Sequence, residues 1–568
     1  MFTTKQKQLF PSTEKQKSVK NSPVQNVTSS AFVNAALNIQ NQTLSENGAV
    51  KLKSTLDPFV DQFGQTSNYR KLRSFAEIEK DCETLWALDP LNTVKFAHFL
   101  RTIPRKVSMF DGSVTEEPQK GSELKHESIM RMIWLSTKSP ETFWSNIVLF
   151  ISLGSWHDVF TMLQTDLIYN GWENKKLDWK KFGDLILSGL NNSNTVNLVK
   201  KYLPQVKTRS VCKSVESQAN CMIAKWICSL LFGSKQTSYN YKLYRKLKTS
   251  GSAHEWQKLI SQKRFSEIKF DQIHGRALNL LVKSKFLKNQ NLTDQYSAWI
   301  KSPETKDVKY TGFVHDLFGT LPDHLSSVDL HVRETINKQF STLVEKAKSE
   351  KTDKSTDWIV VRDTSGSMES NAIGTKISSY DIAKSIALYF SEFLSGRFAN
   401  SWIEFNSDAK LHSWKGQTPI EKWFNDDSSC VGSTNFQSVI DLFVTLKKTG
   451  ISESEFPKGI LCISDGEFNP SQLNETNVQT ARKKLLSGGF SEDFANSFQI
   501  VLWNIPNSYY GNVKTKFETT AKEKGSYYFS GYSPSIISFL NGHEIETPRQ
   551  LFDAAMNQQI LNLIEVKV

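Results

Sequence analysis

The spacing of apolar positions changes character near residue 350. From about residue 70 to 345 they recur at helical intervals. Asp89 before Pro90 gives an N-cap with proline at the first helical position, and Leu91, Val94, Ala97 and Leu100 line one face up to the break at Pro104. Ser139, Pro140 and Glu141 repeat that start, Phe143, Trp144, Ile147, Val148 and Ile151 continue the stripe, and Gly154 stands at the C-cap position. Val159, Phe160, Leu163 and Leu167 open the next helix. Successive amphipathic helices with short links predict stacked, HEAT-like helix pairs in a solenoid or ring, although no fixed repeat period stands out.

Beyond residue 350 short β-prone runs alternate with helical ones. Trp358–Val361, Trp402–Phe405, Ile460–Ile463 and Phe498–Trp503 read as strands, and Ile382–Leu394, Phe436–Leu446 and Ala481–Leu486 as helices. That alternation predicts an α/β, doubly wound, mostly parallel sheet. The charged stretch Lys346–Asp357 reads as the linker, or as an extension of the last helix before it. Residues 1–65 are polar and predict a largely flexible arm with at most one short helix. The expected order is therefore arm (1–65), helical body (66–350), α/β domain (351–545) and a C-terminal helix or tail (546–568).

The chain has 568 residues, 39% of them hydrophobic, with 14 Trp and 36 Phe, enough apolar bulk for substantial cores. Disorder throughout is excluded. The first twenty residues lack an apolar signal core, and the longest nearly apolar run, Ile147–Leu153, is far short of a membrane span, so neither export nor membrane insertion is expected. Six cysteines without a CxxC pair argue against a disulfide framework or structural zinc and for a reducing, cytoplasmic setting; Cys221 and Cys228 read as core packing on one helix. The ten histidines form no HExxH or HxxxH pattern.

The net charge of +12 is regional: from Lys200 to Lys288 there are 19 Lys and Arg against four acids, a local net of +15. Basic side chains there interleave with rings, as in Tyr239, Tyr241, Lys242, Tyr244, Arg245, Lys246, Lys248, then Trp256, Lys263, Arg264 and Phe265. Phosphate neutralisation combined with base stacking, at about 1–3 kcal/mol per base, holds single-stranded nucleic acid in this way. Arg209, Lys213, Lys242, Arg245, Lys246, Lys248, Lys263 and Arg264 are the candidate contacts. The equally weighted alternative makes the rings helix cores and the charges a solvated face.

Directly after the first predicted strand comes Asp363-Thr364-Ser365-Gly366-Ser367, a DxSxS sequence. Loops at the carboxyl ends of strands are where ligands collect in open α/β sheets. Two later loops offer the Thr434 hydroxyl, before a helix, and the Asp465 carboxylate, after a strand. Asp363, Ser365, Ser367, Thr434 and Asp465 thus present hard oxygen donors suited to Mg²⁺ above all, or to Mn²⁺ or Ca²⁺, with a position left open for water or a partner's carboxylate. Taken singly, these residues could equally cap turns and helices. Glu404, Asp408 and Glu467 are the nearby acids by motif position, and none is marked as a general base.

The five positions resemble the metal-ion-dependent adhesion site of the von Willebrand factor A fold, over about residues 355–540. In that fold the metal is usually completed by an acidic side chain of a bound protein, which implies binding. A helical body before such a domain resembles the Ro autoantigen architecture, a TROVE ring of helical repeats joined to a von Willebrand A domain, and still more an uncharacterised Ro-like family that includes phage and large-virus proteins. The resemblance rests on Asp89-Pro90-Leu91 leading to Phe99-Leu100-Arg101, on Gly154-Ser155-Trp156-His157-Asp158, on Lys201-Tyr202-Leu203-Pro204, and on Tyr241–Leu247 followed by Ile268, Phe270 and Asp271. Ro proteins hold small non-coding RNAs, with single-stranded ends in the ring and structured RNA on its basic outer surface. The resemblance therefore implies RNA as a partner and adds His157 as a donor to phosphate, although this chain reads Trp156-His157-Asp158 where Ro proteins carry a THKD-like stretch.

The expectation is a non-enzymatic, monomeric RNA-binding protein with a divalent-metal site for an acidic protein partner and no membrane partner. Its rival is a metal-dependent protein-interaction or virion-associated scaffold with no nucleic-acid role.

Overall fold

The computed structural model describes residues 40–567 except 67, 207–211, 235–236, 251–253, 274, 306–307, 309, 311, 350–357, 395–397, 473, 510–515 and 533–544. The chain divides into two compact units. One contains residues 1–77 and 306–554; the other contains residues 78–305 and 555–568.

The first unit is built on two sheets. A small antiparallel hairpin pairs β1 (Gln42–Leu44) with β2 (Val50–Leu52). The main sheet comprises β3 (Trp358–Asp363), β4 (Ser401–Phe405), β5 (Ala409–Ser413), β6 (Gly459–Ser464), β7 (Gln499–Asn504) and β8 (Ser526–Ser530). Their order is β5-β4-β3-β6-β7-β8, parallel throughout except for the antiparallel edge strand β5. Every residue of β3 and β6 is buried, the mark of strands covered on both faces. Chain order departs in both directions from β3, with β4 on one side and β6 on the other. The carboxyl ends of β3 and β6 therefore flank the switch point where a crevice opens in such sheets. One face is filled by Phe405, Phe436, Phe443, Ile460, Phe468 and Phe498 among others.

The expected strands and helices of this region are found with their ends moved by a few residues, and β5, β8 and the helices Pro419–Phe424 and Glu492–Ser497 are additions. β5 was invisible because it is a short edge strand with Leu411 half exposed and no buried alternation.

Two boundaries differ from expectation. Residues 40–65, the described part of the expected arm, form ordered structure: the hairpin and then the helix Pro58–Gly64, capped by Asp57 and burying Phe59, Val60 and Phe63. The short apolar run of that helix gave too weak a period to register. The α/β unit also begins before residue 351: the helix Leu330–Ser349 belongs to it, burying Val332, Ile336, Phe340 and Val344, and Phe318 stacks on Trp423 with centroids 4.7 Å apart. Its helical period resembled that of the preceding body, so sequence alone grouped it there.

The second unit is helical. Its helices include Pro90–Arg101, Lys125–Lys138, Pro140–Leu153, His157–Asn170, Trp179–Asn191, Val196–Tyr202, Val215–Phe232 and Ser238–Ser250. Asp89 caps the first of these through Asn92 N at 3.0 Å, as its position predicts. Ser139 makes no such bond; its hydroxyl donates to Thr142 Oγ1 at 2.7 Å. Cys221 and Cys228 are buried on the helix Val215–Phe232. Residues 555–567, expected as a separate tail, belong to this unit: Asn146 and Thr142 exchange hydrogen bonds with the backbone of Glu565 and Lys567. Among the described residues no helix is long and apolar enough to cross a membrane.

Two of the stretches that carry the family resemblance meet here. Arg101 Nε and Nη2 donate to the Asp158 carboxylate at 2.7 and 3.2 Å, and both side chains are buried. Gly154 sits against this pair at φ −107°, not in the left-handed region a helix C-cap would use; a Cβ there would collide with the Asp158 carboxylate and the Arg101 guanidinium. Removing one partner of a buried ion pair strands the other without compensation, at about 3–5 kcal/mol. Asp158→Ala should destabilise the helical unit by that amount, read as a lowered denaturation midpoint; a change within about 0.5 kcal/mol would contradict the pairing.

Candidate metal centre

β3 ends at Asp363, which delivers the DxSxS loop to the sheet's rim. The Ser365 amide donates to Asp363 Oδ1 at 2.8 Å, folding the loop back on its own carboxylate, and the Ser365 and Ser367 hydroxyls lie 3.3 Å apart. β6 ends one residue before Asp465. Its last residue, Ser464, donates its hydroxyl to Asp363 Oδ2 at 2.5 Å and accepts the Gly466 amide at 2.9 Å. The Glu467 amide donates to Asp465 Oδ1 at 3.2 Å.

Thr434 is tied by backbone to both other loops. Val431 N donates to Thr364 O at 2.9 Å, and Asn469 N to Thr434 O at 2.8 Å. Arg362, fully buried beside Asp363, anchors the approach to this loop: its Nη1 donates to Asp426 at 2.8 Å, and its guanidinium lies 4.1 Å from the Trp402 ring centre. Asp363, Ser365, Ser367, Thr434 and Asp465 are all buried.

Burial first, and the neighbouring Asp465 charge second, push the Asp363 carboxyl well above the usual carboxylate range; burial raises Asp465 as well. Ionising both side by side in a low-dielectric setting is unfavourable unless a cation lies between them. Two carboxylates and three hydroxyls from three loops suit a hard divalent ion. Among the described residues no group of three or more His, Cys, Asp or Glu is placed to hold a metal, so a candidate site has to draw on hydroxyl oxygens, as this set does.

Sequence reasoning missed two supports. Asn507, in the loop after β7, donates from Nδ2 to both Asp465 Oδ2 and Ser367 O at 2.9 Å, joining two of the loops. Nothing local marks it, since it lies 42 residues beyond Asp465. Ser464 was visible in the Ser-Asp-Gly run, but its contact with Asp363 needed the β3–β6 pairing. Two of the three nearby acids are otherwise engaged: Glu404 accepts from Thr364 at 3.1 Å and lies 2.8 Å from His412 Nε2, and Glu467 accepts the Glu46 amide at 2.6 Å. Asp408 is exposed.

The candidate nucleic-acid residues spread more widely. Lys242, Arg245 and Lys246 are exposed on one face of the helix Ser238–Ser250, and Lys213 and Lys263 are exposed elsewhere. Arg264 pairs with Glu267. Arg209 lies outside the described residues. Lys248 turns inward, donating to Lys201 O at 3.2 Å and to Leu203 O, so it caps the helix Val196–Tyr202. Tyr244 is core, its hydroxyl on Pro204 O at 3.0 Å, whereas Tyr239 is exposed.

His157 opens its helix beside Lys125, with its ring edge-on to Tyr202 at 5.6 Å; burial and the Lys125 charge lower its pKa. It lines a cavity of about 290 Å³ together with Thr161, Lys201, Tyr202, Asn220 and Lys248.

Residues 357–564 match the family described as a domain of unknown function (DUF7788). The match takes in β3 to β8 and with them all five candidate ligands. No curated protein matches the chain.

An Asp whose folded pKa lies above its unfolded value disfavours the folded state once pH exceeds the unfolded value. In chelator at neutral pH, Asp363→Asn should therefore raise the Tm, by at least about 2 °C, and Mg²⁺, which is expected to raise the wild-type Tm, should not raise that of the variant. A variant that melts lower in chelator would contradict this electrostatic account.

Proposed function

We propose that this chain is a non-enzymatic, Ro-like RNA-binding protein whose α/β unit is a von Willebrand A domain with a divalent-metal site for an acidic protein ligand. The observation that carries the metal reading is the convergence of Asp363 and Asp465, two buried carboxylates at adjoining strand ends: Ser464, next to Asp465, donates to Asp363, and Asn507 donates both to Asp465 and to the Ser367 carbonyl. Asp363, Ser365, Ser367, Thr434 and Asp465 would hold a Mg²⁺-type ion, which when bound supplies an open coordination position for a partner's carboxylate. Of the three nearby acids, Glu404 and Glu467 are committed to internal hydrogen bonds and Asp408 is exposed, so neither buried acid is free to act as a base, which favours binding over metal-assisted hydrolysis.

The RNA reading is supported by the exposed Lys242, Arg245 and Lys246 on one helix face and by the cavity at His157, where Lys201 and Tyr202 offer charge and a ring together. Phosphate contacts of this kind make affinity fall steeply with salt, with a log–log slope of about −0.7 per phosphate for single strands. Purified protein should carry nuclease-sensitive RNA at moderate salt, and K242E/K246E should flatten the salt slope by at least about 1.4 units. A salt-flat or absent interaction rejects the RNA reading. Loss of a protein partner on Asp363→Ala in material free of RNA would instead favour the metal-dependent scaffold.

A further inference from the structure

The hairpin β1–β2 lies far from the metal motif in sequence yet grips the loop that carries Asp465. The Ser45 hydroxyl donates to Phe468 O at 2.9 Å, Asn47 Nδ2 to Glu467 O at 2.5 Å, and the Glu46 amide to Glu467 Oε2 at 2.6 Å. Lys51 goes deepest. Its ammonium is buried, donates to Gly466 O, lies 3.6 Å from the equally buried Glu518 carboxylate and sits 5.1 Å from the Phe468 ring centre. A buried lysine is costly unless its charge is used.

The peptide between Gly466 and Glu467 shows the use. Its carbonyl oxygen accepts the Lys51 ammonium, and its N–H, at the opposite end of the same planar unit, donates to Asp465 Oδ1. A cation on the carbonyl polarises the amide and strengthens its donor end, as in any chain of hydrogen bonds. The preceding amide, Gly466 N, donates to Ser464 Oγ, which in turn donates to Asp363 Oδ2. Lys51 thus fixes a loop whose two successive amides serve, directly and through Ser464, the two carboxylates of the candidate centre.

We infer that Lys51 is a positioning residue of the metal site, acting through the Gly466–Glu467 peptide to hold Asp465 in place, and that the hairpin Gln42–Leu52 and the metal loop stabilise one another. This rests on the metal reading above. Supports of this type are worth about 10- to 100-fold in metal affinity, and the coupling must be reciprocal.

The test uses the full chain and Mg²⁺ alone. Calorimetric titration should show Mg²⁺ binding to the wild type, binding weakened about tenfold or more in Lys51→Met, a smaller loss in Asn47→Ala and none left in Asp363→Ala. In the wild type, Mg²⁺ should slow amide hydrogen exchange at Glu46 as well as at Glu467, a measurement that stands even if Lys51→Met fails to fold. Unchanged Mg²⁺ affinity in folded Lys51→Met, or Mg²⁺-independent exchange at Glu46, overturns the inference and leaves the metal reading standing. A wild type that binds no Mg²⁺ overturns the metal reading and this inference with it.

Discussion

Two carboxylates that would avoid each other in water are held together at one end of a sheet. Asp363 ends β3, Asp465 follows β6, and parallel pairing of those strands leaves the two side chains no separate surroundings. The backbone ladder fixes this closeness whatever the electrostatic cost, because β3 and β6 are buried along their whole length and cannot slip register without exposing apolar residues. The local structure can be read as compensation. Ser365 N, Ser464 Oγ, Glu467 N and Asn507 Nδ2 all donate to these carboxylates, so the site is preorganised as a cluster of acceptors with its donors behind it.

Support for this cluster comes from far along the chain. Arg362 braces the approach to Thr434 from the strand that bears Asp363, and the hairpin at residues 42–52 braces the Asp465 loop from outside the sheet. In both cases a buried cation is directed to a neighbouring loop and paired with a single acid, Asp426 or Glu518. The main sheet's sequence alone would not make the complete site, and the α/β unit accordingly includes residues from before the helical unit.

What the sequence revealed follows the range of the interaction that encodes it. Strands β3, β4, β6 and β7 and the helices between them were legible because continuous apolar runs and helical periods are local signals. The five candidate positions were legible as a motif because each sits next to such an element. Lys51, Asn507 and Ser464 act through contacts 415, 42 and 101 residues away, and no local pattern records such pairings. The same limit explains the misplaced boundaries, since the helix Leu330–Ser349 and the hairpin belong to the α/β unit through packing that periodicity does not encode. For the basic segment, burial sorts side chains that composition left level: Tyr244 and Lys248 serve the helical core, while Lys242, Arg245 and Lys246 face outward.

The helical unit shows a related economy. Arg101 and Asp158, in two stretches that a family likeness picked out, form the buried pair around which Gly154 must stay small. His157 and Lys125 stand beside that pair, next to a polar cavity, so a structural ion pair and a candidate ligand surface share one helix start. The central claim, however, concerns the two carboxylates. Anomalous diffraction from crystals of the full chain equilibrated with Mn²⁺ tests it most directly. The account predicts one strong peak within bonding distance of both Asp363 and Asp465; clear density for both side chains with no peak between them would contradict it.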